Sequence, residues 1–219
     1  YYLTLKNITS KLSAVTSVKD LGVIIDDRLN FNEHIHAKIN KAYSILGIIK
    51  RNFKLMDCYT FVKLYKTMVR SHLEYAASVW APSGKGKIDD LERVQRRATK
   101  MIKRCHKMSY SDRLEYLKLP TLTYRRTRGD MIEVYKILTN KYDSNVTLDL
   151  CLSNCTYTRG NALKLTTVRP HLDIRKYSFS VRIVSIWNSL PDSVITSETT
   201  NKFKIALDKH WKNEEILYN

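Results

Sequence analysis

The sequence predicts a mainly α protein: a short N-terminal antiparallel β piece, then a helical bundle, then a mixed C-terminal segment. Three observations predict it. Residues 1–25 alternate short apolar and polar pieces, "YYLTL", "KLSAV" and "VKDLGVII", which is strand and turn chemistry. From Phe31 the period changes to steps of three and four through Ile35, Ile39, Ala42, Leu46 and Ile49, one face of a helix. Similar faces recur toward the C-terminus, interrupted by polar and Pro/Gly stretches rather than by repeats or low-complexity tracts.

The elements follow in order. Asn30 is the expected cap of the first helix, with Glu33 three residues on as the partner of a capping box. A second helix fits residues 57–79, capped by Asp57 and carrying Phe61, Leu64, Tyr65, Met68, Val69, Leu73 and Ala76 on one side. It must stop before Pro82, where "PSGKGK" supplies a loop. A third runs from about Asp89 to His106. A shorter one covers "SYSDRLEYL", capped by Ser109 or Ser111, and another spans about Leu122 to Asn140 across Gly129. Residues 141–170 are rich in Asn, Thr, Ser and Asp and read as loop with one strand. Order returns in "RKYSFSVRIVSIWNSLPDSV", where Trp187 reads as a core anchor, and in a terminal helix near 198–213 with Phe203, Leu207 and Trp211 on one face.

Composition narrows the partners. The 219 residues, 43% hydrophobic, can bury a sizeable core as one domain or two small ones. Lys and Arg number 38 against 21 Asp and Glu, a formal net charge of +17 that makes nucleic acid the first partner to consider. No run reaches the roughly 18 apolar residues of a membrane span, and "YYLTLKNITS" lacks the zones of a signal peptide. The expectation is a soluble intracellular chain, in nucleus or cytoplasm, with no membrane partner. Cys58, Cys105, Cys151 and Cys155 are too scattered for a disulfide scaffold, and Cys151 and Cys155 have no close His to complete a zinc site.

The most informative stretch is "DDLERVQRRATKMIKRCHK", residues 89–107. On a continuous helix, Arg93, Arg96, Arg97, Lys100, Lys103, Arg104 and Lys107 fall within an arc of roughly 120° and extend over about 21 Å at about 1.5 Å per residue. Leu91, Val94, Ala98, Met101, Ile102 and Cys105 take the opposite side. Asp89, Asp90 and Glu92 gather at the expected helix start, where they suit the dipole and leave the basic face uninterrupted. Such a face, without interspersed acids, suits a phosphate backbone better than a merely solvated surface. Arg125, Arg126 and Arg128 in "YRRTRGD" form a weaker second patch, and Tyr124 beside them reads as core before it reads as a base-stacking ring. Neither patch specifies a base sequence.

Asp26-Asp27 looks like a polymerase metal pair and fails the test. Two-metal phosphoryl transfer needs carboxylates converging from separate strands, whereas neighbours on one strand face opposite ways. "RLNFNEHI" leads straight into a helix with no returning strand, and Asp20 is the sole acidic residue upstream. His34, His36, His72, His106, His171 and His210 form no ligand triplet, and no phosphate loop or nucleophile elbow occurs. No catalytic residue and no metal site can be assigned.

The blocks "VKDLGVIIDDRLNFNEHI", "LEYAASVWAP", "LERVQRRATKMI", "YRRTRGDMIEVYKIL", "TRGNALKL", "FSVRIVSIWNSLPDSV" and "FKIALD" occur in an order and spacing that match a known pattern from about residue 18 to 211. The chain resembles the region after the catalytic core in reverse transcriptases of non-LTR retrotransposons, of the Jockey and chicken-repeat kind. That resemblance implies an RNA-directed DNA polymerase whose palm, with its carboxylates and Mg2+, lies upstream of Tyr1. It implies that residues 1–30 end the palm, 31–145 form a thumb-like helical domain, and 146–219 form an extension with a terminal helix. It also implies that this chain, which opens on Tyr rather than Met, is a truncated copy or fragment, inactive by itself and lacking cofactors. Its partners would be the upstream palm and fingers, the RNA template and the DNA primer or their hybrid. The rival expectation is a non-enzymatic basic helical module that binds acidic protein or anionic surfaces.

Overall fold

Two separate apolar cores organise the chain. The computed structural model describes residues 2–5, 8–11, 13–53, 55–143, 145, 147–153, 163–212 and 217–218, with the backbone alone for residues 2–11. The protein is mainly helical after a short antiparallel start, as the sequence predicts. Strands β1 (Tyr2–Leu5) and β2 (Ile8–Lys11) pair with Leu5 opposite Ile8, and β3 (Ser17–Asp20) and β4 (Val23–Asp26) pair with Asp20 opposite Val23. The second hairpin turns on Leu21 and Gly22, both at positive φ (43° and 82°), the two-residue turn whose twist suits flanking strands. The turn is held from outside. Tyr75 donates its hydroxyl to the Leu21 carbonyl at 2.8 Å, and Lys38 Nζ donates to the Gly22 carbonyl at 3.2 Å.

Helix α1 (Asn32–Asn52) buries Ile35, Ile39, Ala42, Leu46 and Ile49, the expected face, together with Ile45. Its start departs from expectation: no capping box forms, and neither Asn30 nor Glu33 acts as the cap. Phe31, in a left-handed conformation, leads into the helix, and Asp26 reaches from the end of β4 to accept the backbone N–H of Arg28, Asn30 and Phe31 at 3.1, 3.0 and 2.6 Å. The carboxylate thus fixes the turn that leads from β4 into the helix, while the first-turn N–H groups of α1 receive no side-chain cap.

The expected helix over 57–79 is divided. Helix α2 (Cys58–Leu64), capped by Asp57 through Thr60, runs into a π-helical stretch, Tyr65–Arg70, and then into α3 (Ser71–Glu74). Ala76, at φ 52°, breaks the path before α4 (Ala77–Trp80). The π turn has a cause in the sequence. Phe61, Tyr65, Val69 and Leu73 are all fully buried at steps of four. In an α-helix four residues overshoot a full turn by about 40°, so a stripe of that period drifts around the helix. A wider i→i+5 turn keeps it facing inward.

Helix α5 (Lys85–Thr99) follows, then a 3₁₀ turn at Lys103–Cys105, α6 (Tyr110–Leu117) and α7 (Leu122–Leu138). Ser109 caps α6 in a reciprocal box with Asp112, and Thr121 caps α7. Short α8 (Asp173–Lys176), α9 (Phe179–Ser189), α10 (Asp192–Ile195) and α11 (Thr200–His210) complete the chain. Between α7 and α8 the described loop holds one isolated antiparallel bridge, Leu152 to Leu165. Most of "TRGNALKL" and Cys155 of the Cys151–Cys155 spacing lie outside the described residues.

The first core gathers α1 to α6 and ends at Leu122. The second begins at Tyr124 and gathers α7, α9, α10 and α11 around Trp187 and Phe203. Trp187 is fully buried and donates its indole N–H to the Leu163 carbonyl at 2.8 Å, the anchor role expected of it. Trp211 closes the same core against the Tyr124 ring. Helix α7 therefore packs with the C-terminal segment, while its first turn is pinned to the first core. No helix among the described residues is long and apolar enough to cross a membrane.

Candidate nucleic-acid interface

The basic stretch 89–107 is not one helix. Helix α5 starts at Lys85, earlier than the acids suggest, and ends at Thr99. Asp89 and Asp90 therefore lie beyond its first turn, and the dipole argument for them does not hold. Ile102 adopts extended backbone (φ −84°, ψ 118°) and turns the chain, so that Ile102 and Cys105 both reach the first core while Lys103, Arg104 and Lys107 stay exposed. The seven cations consequently form no continuous 21 Å line.

They separate into two groups. Arg93 pairs with Asp90 at 2.9 Å, and Arg96 lies 3.9 Å from Asp89 with its guanidinium over the Tyr110 ring. These two are interspersed with acids, contrary to the expectation of an acid-free face. Arg97, Lys100, Lys103 and Arg104 instead line a groove of about 950 Å³ between α5, the turn that follows it and the C-terminal half of α1. Lys50 of α1 joins them from the opposite wall. None of these five has an ion-pair partner among the described residues. Asp57 is the acidic side chain in the described lining, and its two oxygens are committed to the Thr60 N–H (2.9 Å) and hydroxyl (2.7 Å). Lys107 is exposed beyond the groove.

The groove has an apolar floor as well as a cationic rim. Tyr43, Leu46 and Gly47 from α1 meet Met101 from the far side, with Phe53 and Leu55 at one end. The Arg97 guanidinium sits over the Tyr43 ring, 5.3 Å from its centroid. Sequence reasoning missed Tyr43, Phe53 and Lys50. A signal existed: Tyr43, Leu46, Gly47 and Lys50 fall at i, i+3, i+4 and i+7, a second face of α1 beside its core face.

What holds α5 in place is a buried polar ladder. Glu92, Gln95 and Thr99 are each nearly inaccessible. Gln95 accepts from the Tyr65 hydroxyl at 2.7 Å and donates to the Pro120 carbonyl at 3.0 Å. Glu92 accepts from the Tyr110 hydroxyl and from the Leu122 N–H at 3.0 Å, so it caps α7 rather than facing solvent at the start of α5. Burial pushes its carboxyl above the usual range, and the Tyr110 hydroxyl and Leu122 N–H pull it partly back. Thr99 accepts from Arg113 Nε at 3.1 Å. With one side of α5 fixed in this way, its cations can only face outward and toward α1.

The second patch is turned inward. Arg125 grips Glu74 with two bonds of 2.8 Å, and Arg128 grips Asp208, with Nη2 at 2.8 Å. Arg126 is 7% exposed and its Nη1 has no hydrogen-bond partner among the described residues, while Nη2 reaches Thr123 at 3.2 Å. Burial lowers its pKa, and Glu92, Glu74 and Asp130 oppose that shift. Arg125 and Arg128 join α7 to α3 and α11, while Arg126 stays buried on α7 itself. Tyr124 is buried, in agreement with the core reading.

The Asp26 carboxylate, committed to three backbone N–H groups, does not fit a metal ligand. Burial tends to raise its pKa, yet the N–H groups of Asn30, Phe31 and Arg28 outweigh that and hold it below the ordinary value. No cluster of three His, Cys, Asp or Glu side chains suited to a metal occurs among the described residues.

No family model matches the chain, and no solved structure matches it. The chain is similar to an uncharacterized protein of Caenorhabditis elegans, 27% identical over 135 residues that span 60% of this chain and 68% of that protein.

Proposed function

We propose that this chain is the post-catalytic, nucleic-acid-holding part of a non-LTR retrotransposon reverse transcriptase. It grips the RNA template and DNA primer through phosphate contacts, while polymerisation and its Mg2+ belong to the upstream palm of the parent enzyme. The observation that carries the reading is the convergence of Lys50, Arg97, Lys100, Lys103 and Arg104 on one groove without carboxylate partners among the described residues. Five unneutralised cations around a concavity constitute a polyanion site. The ordered motifs of the sequence point to the same class of partner. Template and primer vary in sequence, so backbone contacts suit the task and base readout does not.

Fluorescence anisotropy with a recessed RNA–DNA template–primer tests this. The expected result is tight binding at low salt that falls at least tenfold in Arg97→Glu/Lys100→Glu/Lys103→Glu, with circular dichroism unchanged. Equal affinity of the variant and the parent would overturn it.

A further inference from the structure

We infer that the groove between α1 and α5 is built for an unpaired strand, so that its ligand is the single-stranded extension of a template–primer rather than the duplex itself. The inference rests on the nucleic-acid reading above and names the part of the ligand that enters the site.

The argument is one of surface chemistry. A duplex presents phosphates and sugars, with its bases turned inward, so a purely polar cationic wall is its natural complement. This groove pairs cations with an apolar lining of Tyr43, Leu46, Phe53, Leu55 and Met101. Leu55 is 88% exposed and Phe53 41%, so both of these apolar side chains of the lining are open to a ligand. Phosphates gain nothing from such a floor. Unpaired bases do, because each has an apolar face that stacks on aromatic rings and guanidinium planes. The Arg97 guanidinium over the Tyr43 ring, 5.3 Å from its centroid, offers both kinds of surface in one unit. Phe53 lies directly after α1, at its C-cap.

The charge is complementary to the same ligand. Lys50 stands on one wall, and Lys100, Lys103 and Arg104 on the other, so a strand lying along the floor meets cations on both sides. The 950 Å³ of space fits a few nucleotides rather than a helix some 20 Å across. Arg93, Arg96 and Lys107 remain outside the lining and exposed, where a flanking duplex could touch them.

The test compares three ligands of equal total length by anisotropy: a single-stranded RNA, a blunt RNA–DNA hybrid, and a hybrid with a single-stranded extension. Single strand and extended hybrid should bind at least tenfold more tightly than the blunt hybrid. Tyr43→Ala and Phe53→Ala should each weaken single-strand binding about three- to tenfold with the salt slope unchanged, because stacking releases no counterions. Lys100→Ala/Lys103→Ala should lower the slope. Phe53 is partly exposed, so its substitution leaves the fold intact, which thermal melting verifies. Blunt hybrid binding as tightly as the other two, with Phe53→Ala silent, would overturn this inference and leave the nucleic-acid reading standing. Absence of binding by all three ligands would overturn both.

Discussion

Asp26 and Asp27 are neighbours with opposite roles. Asp26 accepts three backbone N–H groups at the start of α1, whereas Asp27 is exposed and its carboxylate faces water. Asp26→Ala should cost about 1–2 kcal/mol, because it leaves the N–H groups of the turn into α1 without their acceptor. Asp27→Ala should stay within about 0.5 kcal/mol. Urea titration of both variants checks the contrast. The folded pKa of Asp26 lies below its unfolded 3.8, so its contribution is present above that pH and is lost as pH falls through the folded value. His34 acts in a different window. Its ring is buried against Trp80 and its Nδ1 accepts the Ile24 N–H at 3.1 Å, while burial, aided by Lys38, lowers its pKa from 6.5 to about 4. The unfolded chain binds this proton first, so stability should decline as pH falls from 6.5 toward 4 and hold above 6.5. In His34→Gln that slope should flatten in stability-versus-pH curves, while the fall below 3.8 from Asp26 persists.

At the scale of elements, the apolar period made most helices legible, and their interruptions were hidden. The faces of α1, α7 and α11 could be read because Ile35, Met131 and Phe203 sit at helical spacing with little else competing for burial. The π turn left a trace, the unbroken steps of four from Phe61 to Leu73, which resembles an ordinary helix until the drift is counted. The break at Ile102 left none, because Ile102 and Cys105 continue an α-helical pattern even though the backbone turns between them. The acids of α5 misled in a related way. Glu92 looks like a surface charge and is a buried acceptor for another helix, a long-range partnership that local sequence does not encode. Glu92→Ala should therefore destabilise by about 3 kcal/mol, since it leaves the Leu122 N–H and Tyr110 hydroxyl unsatisfied. Gly129 lies within α7 with open space where a Cβ would go, so Gly129→Ala should stabilise by about 0.5–1 kcal/mol in thermal or urea unfolding.

At the scale of the molecule, α7 ties the two cores into one cooperative unit. It accepts a cap from Glu92 of the first core and contributes Met131, Val134 and Tyr135 to the second. Arg182 of α9 strengthens the junction, bonding Asp130 of α7 at 2.9 Å and the Ser78 carbonyl of α4 at 2.8 Å. Trp80 reports on the first core, Trp187 and Trp211 on the second. Tryptophan fluorescence of Trp80→Phe and far-ultraviolet circular dichroism should give coincident urea transitions, and separated transitions would contradict a shared unit. This coupling matters for the groove, whose α5 wall is fixed from behind by the ladder that ends on α7. The arrangement was half legible. The run of cations after Asp90 could be read from the sequence, but only the fold separates the ion-paired Arg93 and Arg96 from Arg97, Lys100, Lys103 and Arg104, and brings Lys50 to face them. The most direct measurement is the salt dependence of binding to a recessed RNA–DNA template–primer. Five groove cations at about 0.7 counterions each give an expected log–log slope near −3.5, about a hundredfold loss of affinity between 50 and 200 mM salt. Binding insensitive to salt, or a slope unchanged by Lys100→Ala/Lys103→Ala, would contradict the assignment of this groove to nucleic acid.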